Sequence, residues 1–145
     1  RFYPISQKVN FRGQTDWPRT EIINYPIQGL AADLMKFYRL LLWKNLKPIM
    51  ELEPEVKLIC TVHDDVEIDV ANDPELCYNI CQIMIQTWRE IPQYCKTYYD
   101  FDLNVPLAGE AKFGSSMHDD DLMKFNPETF ETDWEYQTSL SSNSN

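Results

Sequence analysis

From residue 56 to residue 70 apolar side chains alternate with polar or smaller ones: Val56, Leu58, Cys60 and Val62, then Val66, Ile68 and Val70. The alternation is interrupted once, by His63-Asp64-Asp65. A period of two places every second side chain on one face of a strand, so this stretch predicts two strands joined by a short turn. The flanks carry the other period. Upstream, Leu30, Leu34, Phe37, Tyr38, Leu41 and Leu42 recur at helical spacing, which predicts an amphipathic helix over residues 27 to 46 with Pro26 at its first turn. Downstream, Asn72-Asp73-Pro74 reads as a helix start, and Cys77, Ile80, Cys81, Met84, Trp88 and Ile91 as its buried face. A last strand is expected near residues 103 to 112, ending at Gly114-Ser115-Ser116. Residues 1 to 26 mix β-prone pieces with Pro4, Gly13, Pro18 and Pro26 and predict extended segments without a helix. The implied class is α+β, an antiparallel β-hairpin sheet with helices packed on one face.

The chain has 145 residues, 43% of them hydrophobic, enough for one domain with a real core. It contains no run of about 18 apolar residues to span a bilayer, and Arg1-Phe2-Tyr3-Pro4 lacks the apolar stretch of a secretory signal. A soluble, cytoplasmic protein with no membrane partner is expected. It opens on Arg1 rather than Met, and so is expected to be cut from a longer chain or to be one product of a split gene. Cys60, Cys77, Cys81 and Cys95 match no zinc-ligand spacing and read as buried, reduced thiols. The formal charge of −10 is uneven. From residue 119 onward Asp119, Asp120, Asp121, Glu128, Glu131, Asp133 and Glu135 face Lys124 alone, whereas residues 1 to 26 set Arg1, Lys8, Arg12 and Arg19 against Asp16 and Glu21. The basic end is the candidate DNA-facing surface. Residues 119 to 145, acidic and then rich in Ser and Asn, are expected to form a disordered tail.

Tight hairpin turns usually use Gly or Asn, so a turn of His63, Asp64 and Asp65 between apolar strands holds side chains rather than backbone geometry. Adjacent carboxylates repel by about 1 kcal/mol at 4 Å in water and about 4 kcal/mol at an effective dielectric of 20. A divalent cation between them and a polyanion removes that cost, and Mg²⁺ suits the role. Two such cations serve phosphoryl transfer. Taken alone, the two acids read first as solvated turn residues, because acidic turns are common.

Context comes from two longer matches. Asn24-Tyr25-Pro26-Ile27-Gln28-Gly29-Leu30-Ala31-Ala32-Asp33-Leu34-Met35-Lys36 resembles the N-x-P-[IM]-Q-G-[ST]-A-A-D-I-I-K segment of family A DNA polymerases. About 35 residues on, Thr61-Val62-His63-Asp64-Asp65-Val66-Glu67-Ile68-Asp69-Val70 looks like that family's motif C, V-H-D-E-[LI]-x-x-E-V. Arg1-Phe2-Tyr3-Pro4-Ile5 resembles the end of its G-R-R-R-x-x-P-x-I strand, and Val105-Pro106-Leu107 through Gly114 its closing V-P-L-x-V-x-x-x-x-G strand. The resemblance covers residues 1 to 118 and implies the C-terminal part of a polymerase palm.

The resemblance implies template-directed deoxynucleotidyl transfer by a two-metal mechanism, with DNA primer-template and deoxynucleoside triphosphates as partners. It assigns Asp64 as a metal-binding aspartate, Asp65 as the neighbouring metal-binding acid, and His63 as the contact to the primer terminus. Gln28 and Asn24 match the polar pair that contacts DNA near that terminus, with Arg19 and Lys36 facing phosphates or acids nearby. The match departs in three places. Asp65 replaces the usual Glu, Met117 stands where Trp usually follows the last strand, and Asp121 aligns with the family's final histidine. The family's arginine upstream of the Asn aligns with Thr20, so Arg19 is one residue out of register. Motif A and the triphosphate-gripping fingers helix have no match here. Activity is therefore expected only with an upstream polymerase segment, in cis or as a separate subunit. The unusual tail makes a viral replicase one expected source and a replisome protein a candidate partner of the tail. The alternative is a non-catalytic DNA-binding or replisome-interaction module derived from a palm.

Overall fold

A computed structural model describes residues 6 to 142, so the expected opening strand at residues 1 to 5 lies outside the described residues. In chain order the elements are β1 (Lys8–Val9), β2 (Thr15–Asp16), α1 (Arg19–Leu52), β3 (Lys57–Val62), β4 (Asp65–Asp69), α2 (Pro74–Tyr99), β5 (Lys112–Gly114), a short 3-10 turn (Asp119–Asp121), β6 (Leu122–Lys124) and α3 (Phe130–Ser142). The class is α+β. The strands pair as three separate antiparallel hairpins, β1-β2, β3-β4 and β5-β6, rather than as one sheet. The chain divides into two compact units, Arg1–Phe37 and Tyr38–Asn145.

In the first unit, Lys8 pairs with Asp16 and Val9 with Thr15 across the β1-β2 ladder. α1 then begins at Arg19, not near residue 27, and the Pro18 carbonyl accepts its first bond from the Ile22 amide at 3.0 Å. The proline at the helix start is thus Pro18, while Pro26 lies inside the helix. Ile22 and Ile23 cost only a few tenths of a kcal/mol each as helix residues. Extending an existing long helix by a turn avoids a new nucleation, so their β preference loses.

In the second unit, the remainder of α1 buries Tyr38, Leu41, Leu42 and Leu46, a stripe at helical spacing. α2 is set by its ends: the Asp73 carboxylate accepts from the Leu76 amide at 2.8 Å, Pro74 occupies the first turn, and Asp100 closes the helix in the left-handed region at φ 46°. The Tyr38 ring stacks on Trp88 with centroids 4.3 Å apart, and its hydroxyl donates to the Met84 carbonyl at 3.2 Å. Burial pushes the Tyr38 phenol well above its ordinary range. The Asn45 amide donates to Thr87 Oγ1 at 3.1 Å and to Glu90 Oε2 at 3.2 Å. These contacts hold the second half of α1 against α2.

The expected last strand is displaced: residues 103 to 111 form none, and β5 covers only Lys112–Gly114. Its partner is β6, inside the segment whose acidity predicts disorder. That expectation is corrected, because residues 122 to 142 carry β6 and α3. The reason is aromatic. Phe125 and Phe130, each 4% exposed, join Cys77, Cys81, Ala111 and Phe113 in one core cluster, against which Tyr78, Met123 and Trp134 pack. Phe130 has ring centroids of Phe113, Tyr78, Phe125 and Trp134 within 5.0 to 5.7 Å. Apolar burial on this scale orders a chain whose solvent-facing residues are acidic. The fold therefore continues past residue 118.

Candidate functional site

The β3-β4 hairpin carries the acidic turn. Its register pairs Lys57 with Asp69, Leu58 with Ile68, Cys60 with Glu67, Thr61 with Val66 and Val62 with Asp65. The turn is thus two residues, His63 and Asp64, with Asp65 already in the ladder. His63 adopts φ 54°, the left-handed region, at a turn position where glycine is usual. That conformation costs an L residue about 1–2 kcal/mol, and His is among the side chains found there more often than most. Backbone strain of this kind collects at functional sites.

His63, Asp64 and Asp65 are all exposed. None of the three side chains has a hydrogen bond or ion pair among the described residues. Nor do three His, Cys, Asp or Glu side chains gather anywhere among those residues in a way that could hold a metal. The donor set at the turn is therefore two unpaired, solvent-facing carboxylates. Mg²⁺ characteristically takes one or two protein carboxylates together with substrate phosphates and waters, so Asp64 and Asp65 fit it as a partial site.

A register shift between Leu58 and Cys60 leaves Ile59 as an extra residue in β3. Beyond this bulge the inward and outward faces exchange. Val56 is buried and Leu58 half-buried, whereas Ile59, Cys60 and Val62 are exposed. In β3 the expected alternation therefore holds only up to Leu58, and the expectation of four buried thiols is corrected at Cys60. Cys77, Cys81 and Cys95 are buried, and all four cysteines are free. The Cys60 thiol donates to Glu67 Oε2 at 2.9 Å, and that hydrogen bond to a carboxylate raises its pKa. Sequence pattern missed this pair because the bulge, not the alternation, puts them opposite each other.

The four polar residues expected to contact DNA belong to the first unit, on α1. Asn24 and Gln28 are exposed and one turn apart, hence neighbours on the helix surface. At about 100° per residue, Arg19 lies about 140° around the helix from Asn24 and does not share that face. Lys36 is exposed, and its ammonium pairs with Asp33 one turn back at 3.2 Å. The structure thus brings His63, Asp64 and Asp65 together at one turn and Asn24 with Gln28 on one helix face, while Arg19 is set apart.

Compared with protein-family models, with curated proteins and with solved structures, the chain finds no match. No helix among the described residues is long and apolar enough to cross a membrane.

Proposed function

We propose that this chain is the C-terminal part of the palm of a family A DNA polymerase, acting in template-directed deoxynucleotidyl transfer once the upstream palm and fingers are supplied. The observation that carries the reading is the pair of exposed, unpaired carboxylates, Asp64 and Asp65, at a two-residue hairpin turn strained at His63. The order and spacing of the two sequence motifs support it.

In this reading Asp64 is the principal Mg²⁺ ligand, and Asp65, one methylene shorter than Glu, contributes directly or through water. Asp64 and Asp65 would hold a Mg²⁺ ion, which would supply charge neutralisation for the triphosphate and acidify the primer hydroxyl. His63 holds the primer terminus from the same turn, where its positive φ fixes the imidazole's starting direction. Asn24 and Gln28 offer carboxamides to minor-groove acceptors, which lie at similar positions in every base pair. They therefore test pair shape without reading sequence. Two carboxylates alone leave both the second metal and the triphosphate unheld, which is why the upstream segment is needed.

The test is primer extension with Mg²⁺ by this chain combined with a polypeptide bearing the missing motif A and fingers. Asp64→Ala is expected to lower extension by about 10²-fold or more, the order of loss when one electrostatic stabiliser is removed, with DNA binding retained. Extension unaffected by Asp64→Ala would make the acidic turn structural and leave a non-catalytic DNA-binding module as the better reading.

A further inference from the structure

The β1-β2 hairpin presents a feature that the polymerase reading does not use. Phe11, at its tip, is 93% exposed, so its ring forgoes the burial that phenylalanine usually finds. The loop beneath it is closed. Asn10 Oδ1 accepts from the amides of Arg12 at 2.9 Å and Gln14 at 3.1 Å. The Asn10 amide donates to the Gln14 carbonyl and the Gly13 amide to the Asn10 carbonyl, both at 2.9 Å. Gly13 takes φ 73°, which lets the chain turn back into β2. A phenyl ring on so constrained a loop is held out rather than left to collapse onto the protein.

Beside it, the Arg12 guanidinium lies 5.2 Å from the Phe11 ring centroid. Charge then distinguishes among occupants. Lys8 pairs with Glu21 and Lys36 with Asp33, so Arg12 and Arg19 are the cations of this unit without an acidic partner among the described residues. The unit Arg1–Phe37 sets Arg1, Lys8, Arg12, Arg19 and Lys36 against Asp16, Glu21 and Asp33, a net charge of +2 in a chain of net charge −10. The unit from Tyr38 onward therefore carries −12. An anionic polymer is drawn to the first unit and repelled by the second.

An exposed ring accompanied by an unpaired arginine is the pairing with which proteins hold unstacked bases, the ring taking a base face and the guanidinium a phosphate. We infer that the β1-β2 tip is a stacking finger for single-stranded nucleic acid, with Phe11 under an unpaired base and Arg12 on the adjoining phosphate. A duplex, whose bases are already stacked, offers Phe11 no such face.

This inference does not depend on the acidic turn, and its test needs neither metal nor catalysis. Fluorescence anisotropy with a labelled mixed-sequence single strand, in EDTA at low salt, compares the full chain with its variants. Phe11→Ala is expected to weaken binding by about ten-fold or more, and Phe11→Trp to restore it. Arg12→Ala is expected to reduce the slope of log affinity against log salt by about 0.7, the value for one phosphate contact on a single strand. Asp64→Ala should bind like the wild type, so that loss of extension and loss of this contact are read separately. Because the Phe11 side chain is solvent-facing, circular dichroism of Phe11→Ala should be unchanged. The inference is overturned if Phe11→Ala binds as tightly as the wild type, if the wild type binds duplex at least as well as single strand, or if sedimentation shows Phe11 instead joining two copies of this chain.

Discussion

At Gly109 a Cβ would overlap the Trp88 indole, and Trp88 cannot withdraw freely because Tyr38 is stacked on its ring. Gly109→Ala is accordingly expected to cost about 1–3 kcal/mol, the range for forcing an extra carbon into a packed site, read as a lower denaturation midpoint in urea. An unchanged midpoint would mean that the backbone does not approach the indole so closely. Nothing local in the sequence marks this glycine. Its requirement comes from the Trp88 ring, far off in sequence, whereas Asp64 and Asp65 stand out in the sequence because a His-Asp-Asp turn with neither Gly nor Asn lies between two apolar strands. His63 was legible as a turn residue for the same reason, but its left-handed conformation was not. Cys60 departs from the expected burial because a single bulged residue, Ile59, reverses the face on which it sits.

Among the elements, β5 and β6 depend on few ladder bonds, and charge adds to them at one edge. Lys124 hydrogen-bonds the Glu110 carboxylate at 2.6 Å, and that bond, reinforced by the ammonium's charge, holds the Glu110 carboxyl below its ordinary value. A carboxyl depressed in the folded state stabilises the fold above its unfolded pKa, and the contribution disappears as pH falls through the folded value. The wild type should therefore lose stability relative to Lys124→Met as pH falls below the ordinary carboxylate value of 4.5. Both side chains are largely exposed, so the effect should be small and shrink with salt. Thermal melts of the two proteins across that pH range provide the check, and parallel pH curves would show the pair to be inert. The ends of α2 were legible because Asp73 and Pro74 act on the first turn itself. The start of α1 was not, since helix propensity and β propensity nearly balance over residues 19 to 25 and continuation of a long helix decides between them.

For the molecule as a whole, the C-terminal segment is part of the core of the second unit rather than an appendage. Ending the chain after His118 would remove Phe125, Phe130 and Trp134 and uncover Cys77, Cys81 and Phe113. That truncated form is expected to self-associate and to lose its cooperative melting transition, measured by size-exclusion chromatography and calorimetry. A monomeric form with an undiminished transition would mean that the segment folds on its own. The sequence by itself determined the features that depend on neighbours a few residues apart: the α+β class from two hydrophobic periods, the hairpin and its acidic turn, and the capped start of α2. Only the tertiary structure decided where α1 begins, which face of β3 lies inward after Ile59, and that residues 122 to 142 of the acidic segment carry β6 and α3. In the tail, the deciding contacts join Phe125 and Phe130 to Cys77, Cys81 and Phe113, and burial gained between such distant positions outweighs the local composition that argues for disorder.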